Sequence, residues 1–152
     1  GIIMLMIVPN FSRYLYVIKR RAAAFQLMSE INKVRMKAMS EHTDYIINFN
    51  SGSDTYEYFE DINGNGGYDT GEPLEGSFSL PQGLNFISVD LGGKSADDST
   101  LNSNQIRYNS KGISDYGSST GRVIIRDKNG IGKVLQFWIS GMVEIATYTV
   151  TF

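Results

Sequence analysis

The chain opens on a run without a polar side chain, residues 1–8, followed by Pro9, and then carries neither proline nor glycine until Gly52. Helix formers dominate residues 11–42, and at ~1.5 Å per residue they predict a rod of roughly 50 Å, longer than an ordinary domain helix. Ala24, Leu27, Met28, Ile31, Val34 and Ala38 recur at three- and four-residue spacing. They form one apolar stripe, expected to seat the second half of the helix on a sheet. Upstream, Phe11, Tyr14, Leu15, Val17 and Ile18 are spread around the helix instead of keeping to one side. Apolar on all sides points to burial against lipid or neighbouring helices; the alternative is packing under the chain's own head, against which stands the length of the rod relative to the rest of the chain.

After Thr43 the period changes from that of a helix to that of strands. Residues 44–50 and 55–60 alternate apolar or aromatic with polar positions, and Asn50-Ser-Gly-Ser-Asp54 between them has hairpin turn chemistry. Residues 84–91, 105–109 and 121–126 read as further strands, and residues 94–104 as an exposed polar loop containing Asp97 and Asp98. Lys128-Asn129-Gly130 carries the Asn-Gly pair favoured by a type I′ turn, predicting a hairpin between Val123-Ile124-Ile125 and residues 134–139. Ser140-Gly141 then leads into a last strand, residues 142–152. The expected fold class is α+β: an N-terminal helical stalk over 1–42, then an antiparallel β-sheet or β-sandwich head of about seven strands over 43–152.

Composition narrows the chemistry. A chain of 152 residues can bury a core without staples. It has no cysteine, which excludes disulfides and thiolate metal sites. A net charge of −2 gives no reason to expect a nucleic-acid partner. The single histidine, His42, falls where the helix should end and is read as a cap interacting with the helix dipole. No nucleophile elbow, phosphate loop or His-Glu-x-x-His run is present, so no enzyme is expected. Lys19, Arg20 and Arg21 taken alone read as a solvated basic patch, and Trp138 as a core or interface aromatic.

The sharpest chemical motif is Asp61-Ile-Asn63-Gly-Asn65-Gly66-Gly67-Tyr-Asp69-Thr-Gly-Glu72. Side-chain oxygens occupy positions one, three, five, nine and twelve of a twelve-residue loop, with glycine at six. That register suits calcium, which takes six to eight hard oxygen ligands; the alternative is that Asn-Gly-Asn-Gly-Gly is a flexible turn between Tyr58 and Leu80. Asp61, Asn63, Asn65 and Glu72 are the expected direct ligands, Gly67 offers its carbonyl, and Asp69 acts directly or through water. With three anionic side chains and no helices on both flanks, the expectation is a weak structural Ca2+ site that stiffens a long connection.

The opening Gly1-Ile-Ile-Met-Leu-Met-Ile-Val-Pro9-Asn10-Phe11 resembles the second half of the N-terminal hydrophobic helix of type IV pilins and type II secretion pseudopilins. Gln105-Ile-Arg-Tyr-Asn-Ser-Lys-Gly112, Gly121-Arg-Val-Ile-Ile125 and Val134-Leu-Gln-Phe-Trp-Ile-Ser-Gly-Met-Val143 resemble the C-terminal half of the minor pseudopilin H and FimT-like group. The resemblance implies a pilin-like helix projecting from a β-sandwich-like head and polymerised through that helix into a pilus or pseudopilus. Its assembly interface would comprise Ile2, Ile3, Met4, Leu5, Met6, Ile7, Val8 and Pro9, continued by Phe11, Tyr14, Leu15 and Ile18. Further apolar residues would precede Gly1 and complete a membrane span of ~20 residues. The implied partners are copies of the chain or other pilins. The implied locations are the inner membrane facing the periplasm before assembly and a cell-surface filament afterwards. Two alternatives stand beside the filament subunit. One is a minor tip pseudopilin that starts assembly or contacts exported cargo. The other is a DNA-capturing minor pilin, against which the last strand carries no lysine or arginine.

Overall fold

The computed structural model describes residues 4–91, 103–115, 120–138 and 140–151, so Ile2, Ile3 and most of the polar loop at 94–104, with Asp97 and Asp98, lie outside the described residues. Helix α1 (Met4–Glu41) has 38 residues, about 57 Å of rise, and continues through Pro9. It ends at His42, whose φ of 57° is left-handed, while the Thr43 amide donates back to the Ala38 carbonyl at 3.3 Å. The histidine does close the helix, but through its backbone conformation.

Among the described residues nine strands follow: β1 (Tyr45–Asn50), β2 (Thr55–Glu60), β3 (Leu74–Ser79), β4 (Leu84–Asp90), β5 (Gln105–Tyr108), β6 (Ser114–Asp115), β7 (Thr120–Asp127), β8 (Ile131–Trp138) and β9 (Val143–Thr151). They form two antiparallel sheets, ordered β3-β2-β1-β5-β6 and β4-β7-β8-β9. The count exceeds the expected seven because β3 and β6 carry little hydrophobic signal. β3 is a mostly exposed edge strand, and β6 has only two residues.

The helical stripe packs as its spacing requires: Ala24, Leu27, Ile31, Val34 and Ala38 are buried, with Met28 partly so. Against them stand Tyr45, Ile47 and Phe49 of β1, Ile106 and Tyr108 of β5, and Val123, Ile125, Leu135 and Phe137 of the second sheet. Phe49 meets Phe86 and Phe137 edge-on at 5.8 and 6.4 Å, which joins the two sheets through one aromatic cluster.

Two local readings need correction. The turn at 128–130 is not type I′: only Gly130 has positive φ (77°), and its amide donates to the Asp127 carbonyl at 3.1 Å. Asp127 Oδ1 accepts the amides of Asn129 and Ile131 at 2.8 and 3.2 Å, fixing a three-residue loop with a left-handed glycine. Nor are the three basic residues of the helix a solvated patch. Lys19 and Arg21 are exposed, but Arg20 is buried and donates to the Asp127 carboxylate.

Farther along α1, Arg35 donates from Nε to Gly112 O at 2.8 Å and from Nη2 to Ser140 O at 3.2 Å. The helix thereby grips the β5–β6 turn of one sheet and the β8–β9 turn of the other. The turns touch: a Cβ on Gly141, at φ 83°, would stand 2.0 Å from Gly112 O.

Candidate functional site

Two regions carry the sequence expectations. The first is the leading half of α1. Phe11 and Tyr14 are 61% and 62% exposed, and Leu15, Val17 and Ile18 are also exposed. The helix meets the head at Tyr16, whose ring lies 2.9 Å from where a Cβ on Gly83 would stand and 4.8 Å beneath the Lys128 ammonium. Four residues on, Arg20 also donates to the Ile131 carbonyl at 3.4 Å, tying the same β7–β8 turn to the helix. For Met4, Leu5, Met6, Ile7, Val8 and Pro9 the structure describes the helical backbone alone. No helix among the described residues is long and apolar enough to cross a membrane. Beside the exposed segment, a groove of about 460 Å³ runs between α1 and edge strand β9, floored by Val17, Ala24, Phe25, Met28, Val143 and Ile145.

The second region is the connection from β2 to β3, residues 61–73, which folds back over the outer face of the five-stranded sheet. That face holds a small apolar cluster of its own, Ile46 and Phe59, and Tyr68 of the loop sets its ring edge-on to Phe59 at 5.4 Å. The loop turns through left-handed glycines, Gly64 at φ 73°, Gly66 at 78° and Gly71 at 110°. Its side-chain oxygens organise its own backbone. Asn63 Oδ1 accepts the Asn65 amide at 2.9 Å, and Asn65 Oδ1 accepts the Gly67 amide at 2.7 Å. Asp61 Oδ2 accepts the Gly66 amide at 3.3 Å. Glu72 spans the loop, taking the Ile62 amide on Oε1 at 3.1 Å and the Asp69 amide on Oε2 at 2.9 Å.

Asp61 and Glu72 are buried, Gly67 is half-buried, and Asn63, Asn65 and Asp69 are exposed. The carboxamide nitrogens of Asn63 and Asn65 converge on Asp69 Oδ2, at 2.9 and 2.5 Å. Donation from Asn63, then from Asn65, holds the Asp69 carboxyl below the ordinary carboxylate range.

As a test of fit to calcium, the donors are all hard oxygens in the required register, and Asp61 Oδ1 is buried with no hydrogen-bond partner. The three carboxylates are not drawn to one point, however. Among the described residues no group of three or more His, Cys, Asp or Glu side chains is gathered to hold a metal. The loop's side-chain oxygens are not gathered around one point: both Glu72 oxygens and both asparagine oxygens accept backbone amides, and Asp61 Oδ1 is the buried oxygen left open.

Two residues of this site were not foreseen, Gln105 and Arg107. Both are buried on the outer face of β5 beneath the loop. Gln105 Nε2 donates to Gly66 O at 3.1 Å. Arg107 Nη2 donates to Asp61 Oδ2 at 2.8 Å and to Gly64 O at 3.3 Å. The only sequence signal was alternation: Gln105 and Arg107 are the polar positions that alternate with the inward Ile106 and Tyr108.

No curated protein sequence matches the chain. Its fold is similar to that of the minor pseudopilin EpsH from the type 2 secretion system of Vibrio cholerae, at 11% identity and a TM-score of 0.60 over 84% of this chain and 96% of that one. It is also similar to the type IV minor pilin FimU of Pseudomonas aeruginosa, at 12% identity and a TM-score of 0.59 over 90% of this chain and 96% of that one. The expected pilin-like architecture, one long helix and a two-sheet head, is the one observed. The profile of the family described as type II transport protein GspH matches residues 23–140, and the chain therefore belongs to that family.

Proposed function

We propose that this protein is a structural subunit of a pilus-like or pseudopilus filament, polymerising through the leading half of α1 with its head outward. The observation that carries the reading is the exposure of Phe11, Tyr14, Leu15, Val17 and Ile18 on the leading half of the helix. Burying such side chains on neighbouring helices stabilises by about 1.5–3 kcal/mol each, a strong drive to assemble. The groove between α1 and β9 offers apolar area contiguous with that surface. Before assembly the same segment would anchor the subunit in the inner membrane with its head in the periplasm. Nucleic acid has no place in this reading: the net charge is −2, and β9 carries no lysine or arginine.

The reading includes a calcium-stabilised loop, with Asp61, Asn63, Asn65, Gly67, Asp69 and Glu72 as the residues that would hold the ion. Calcium there would add rigidity to the loop over Ile46 and Phe59. A second reading, a minor subunit at the tip that starts assembly or meets cargo, is favoured by the family match and by the likeness to proteins described as minor.

The chain has no native cysteine, which makes a direct test straightforward. Cysteine placed at Phe11 or Leu15 should give disulfide-linked dimers of the subunit on oxidation in cells. F11E/L15E should abolish assembly while leaving head stability within about 0.5 kcal/mol. Intact assembly by F11E/L15E would overturn the polymer. Copy number in isolated filaments separates the principal subunit from the tip subunit.

A further inference from the structure

We propose that the neck of this protein, where α1 leaves the head, binds an anionic phospholipid, with the phosphate between Arg21 and Lys133 and an acyl chain in the groove between α1 and β9. The proposal rests on the membrane stage of the reading above and names the lipid class. From Phe11 to Ile18 the exposed side chains of α1 are apolar or aromatic except Ser12 and Arg13, and exposed Lys19 and Arg21 follow at once. Tyrosines and then cations at the edge of an apolar segment match the passage of a bilayer from hydrocarbon to headgroups. Arg13 lies six residues below Lys19, about 9 Å along the axis, within snorkelling reach of the same layer. Helix α1 carries no acidic residue before Glu30. Cations beside an apolar segment ordinarily mark its cytoplasmic flank, whereas here they stand on the opposite flank, next to the head. Their charge there calls for an anionic contact.

The head contributes at the same level. The β7–β8 turn holds the Lys128 ammonium over the Tyr16 ring at 4.8 Å, and the Lys19 ammonium stands 5.6 Å from that ring. Arg21 lines the groove from the helix and Lys133 from β8, and the Arg21 guanidinium lies 5.8 Å from the Phe25 ring of the groove floor. Among the described residues Arg13, Lys19, Arg21, Lys128 and Lys133 form no ion pair, whereas Arg20 is neutralised by Asp127. Lys133 gives one hydrogen to the Ala146 carbonyl at 2.6 Å, which leaves two for a phosphate. Glu144 is the one carboxylate lining the groove, and the two unpaired cations outnumber it. At about 460 Å³ the groove falls within the ~300–1,000 Å³ range of ligand clefts. An apolar floor with cations on both walls fits an amphiphile with an anionic head. The lipid would hold, before assembly, the apolar area that neighbouring helices cover afterwards.

The test is flotation of the full chain with vesicles of phosphatidylcholine alone and of phosphatidylcholine mixed with phosphatidylglycerol. The apolar tip should enter both, so the readout is the ratio of the two partition coefficients. Wild type should favour the anionic vesicles, and added salt should weaken the preference. R21Q and K133Q should each lower the ratio about fivefold without changing binding to neutral vesicles, and E144Q should raise it. R21Q alters an exposed side chain and so reports even if K133Q disturbs β9. Phosphatidylglycerol with a photoreactive group on its acyl chain should mark residues 17–28 and 143–146. Equal ratios for wild type and R21Q, or marking confined to residues 1–16, overturn the proposal and leave membrane anchoring standing. Full competition by inorganic phosphate at constant ionic strength overturns the lipid as occupant. Failure to float with either kind of vesicle overturns the membrane stage itself.

Discussion

Arg20 and Asp127 form a buried ion pair between the helix and the β7–β8 turn, with side chains 7% and 1% exposed. Asp127 also accepts two amides of its own turn, so one carboxylate shapes the turn and fastens it to α1. Removing one partner leaves an uncompensated charge in a dry site. R20M should cost about 3–5 kcal/mol in urea unfolding. R20M/D127N should cost less than the sum of the two single changes, because the double variant buries no lone charge. Strict additivity would show that the pair is not coupled.

The contact between Gly112 and Gly141 predicts a steep cost for any side chain at the second position. G141A must leave a left-handed φ of 83° and clear a carbonyl 2.0 Å from its Cβ, a loss of at least ~2 kcal/mol. Gly64 is the control: at φ 73° with nothing within 4 Å, G64A should lose only about 1–2 kcal/mol. Thermal melts of the two variants, compared directly, check the difference.

Alkaline titration should find the phenols of Tyr45 and Tyr56 ionising late. The Tyr45 phenol is pushed up to about 12 by burial and by donation to Glu41, and the Tyr56 phenol to about 12 by burial and the nearby Glu30 carboxylate. A folded-state pKa above the ordinary ~10 means that folding favours the neutral phenol. The associated stability is complete below about pH 10 and disappears as the pH rises towards 12. In ultraviolet absorbance, Y45F and Y56F should each remove one late ionisation from the wild-type titration.

What could be read in the sequence was what depends on neighbours along the chain. The stripe from Ala24 to Ala38 is a local period, and the packing followed it. The hydrogen bonds between Asn63, Asn65 and Gly67 follow from side chains reaching backbone two residues on. What escaped was set by distant partners. Arg20 looks solvated until the turn 107 residues later supplies Asp127, and Arg107 looks like an outward strand residue until a loop 46 residues earlier lies over it. The Asn129-Gly130 pair signals one turn type, but the carboxylate of Asp127 selects another by claiming two amides. β3 was silent because its edge position leaves it almost no core to mark.

The fastenings of α1 also define a mechanical path. Tyr16 against Lys128, Arg20 against Asp127 and Arg35 against the paired turns are spaced along the helix axis, so a pull on its leading end loads them in shear. Tension would enter the head through the β7–β8 turn first and reach the Gly112–Gly141 contact last. A subunit held in this way can be dragged by its rod without its sheets being peeled apart.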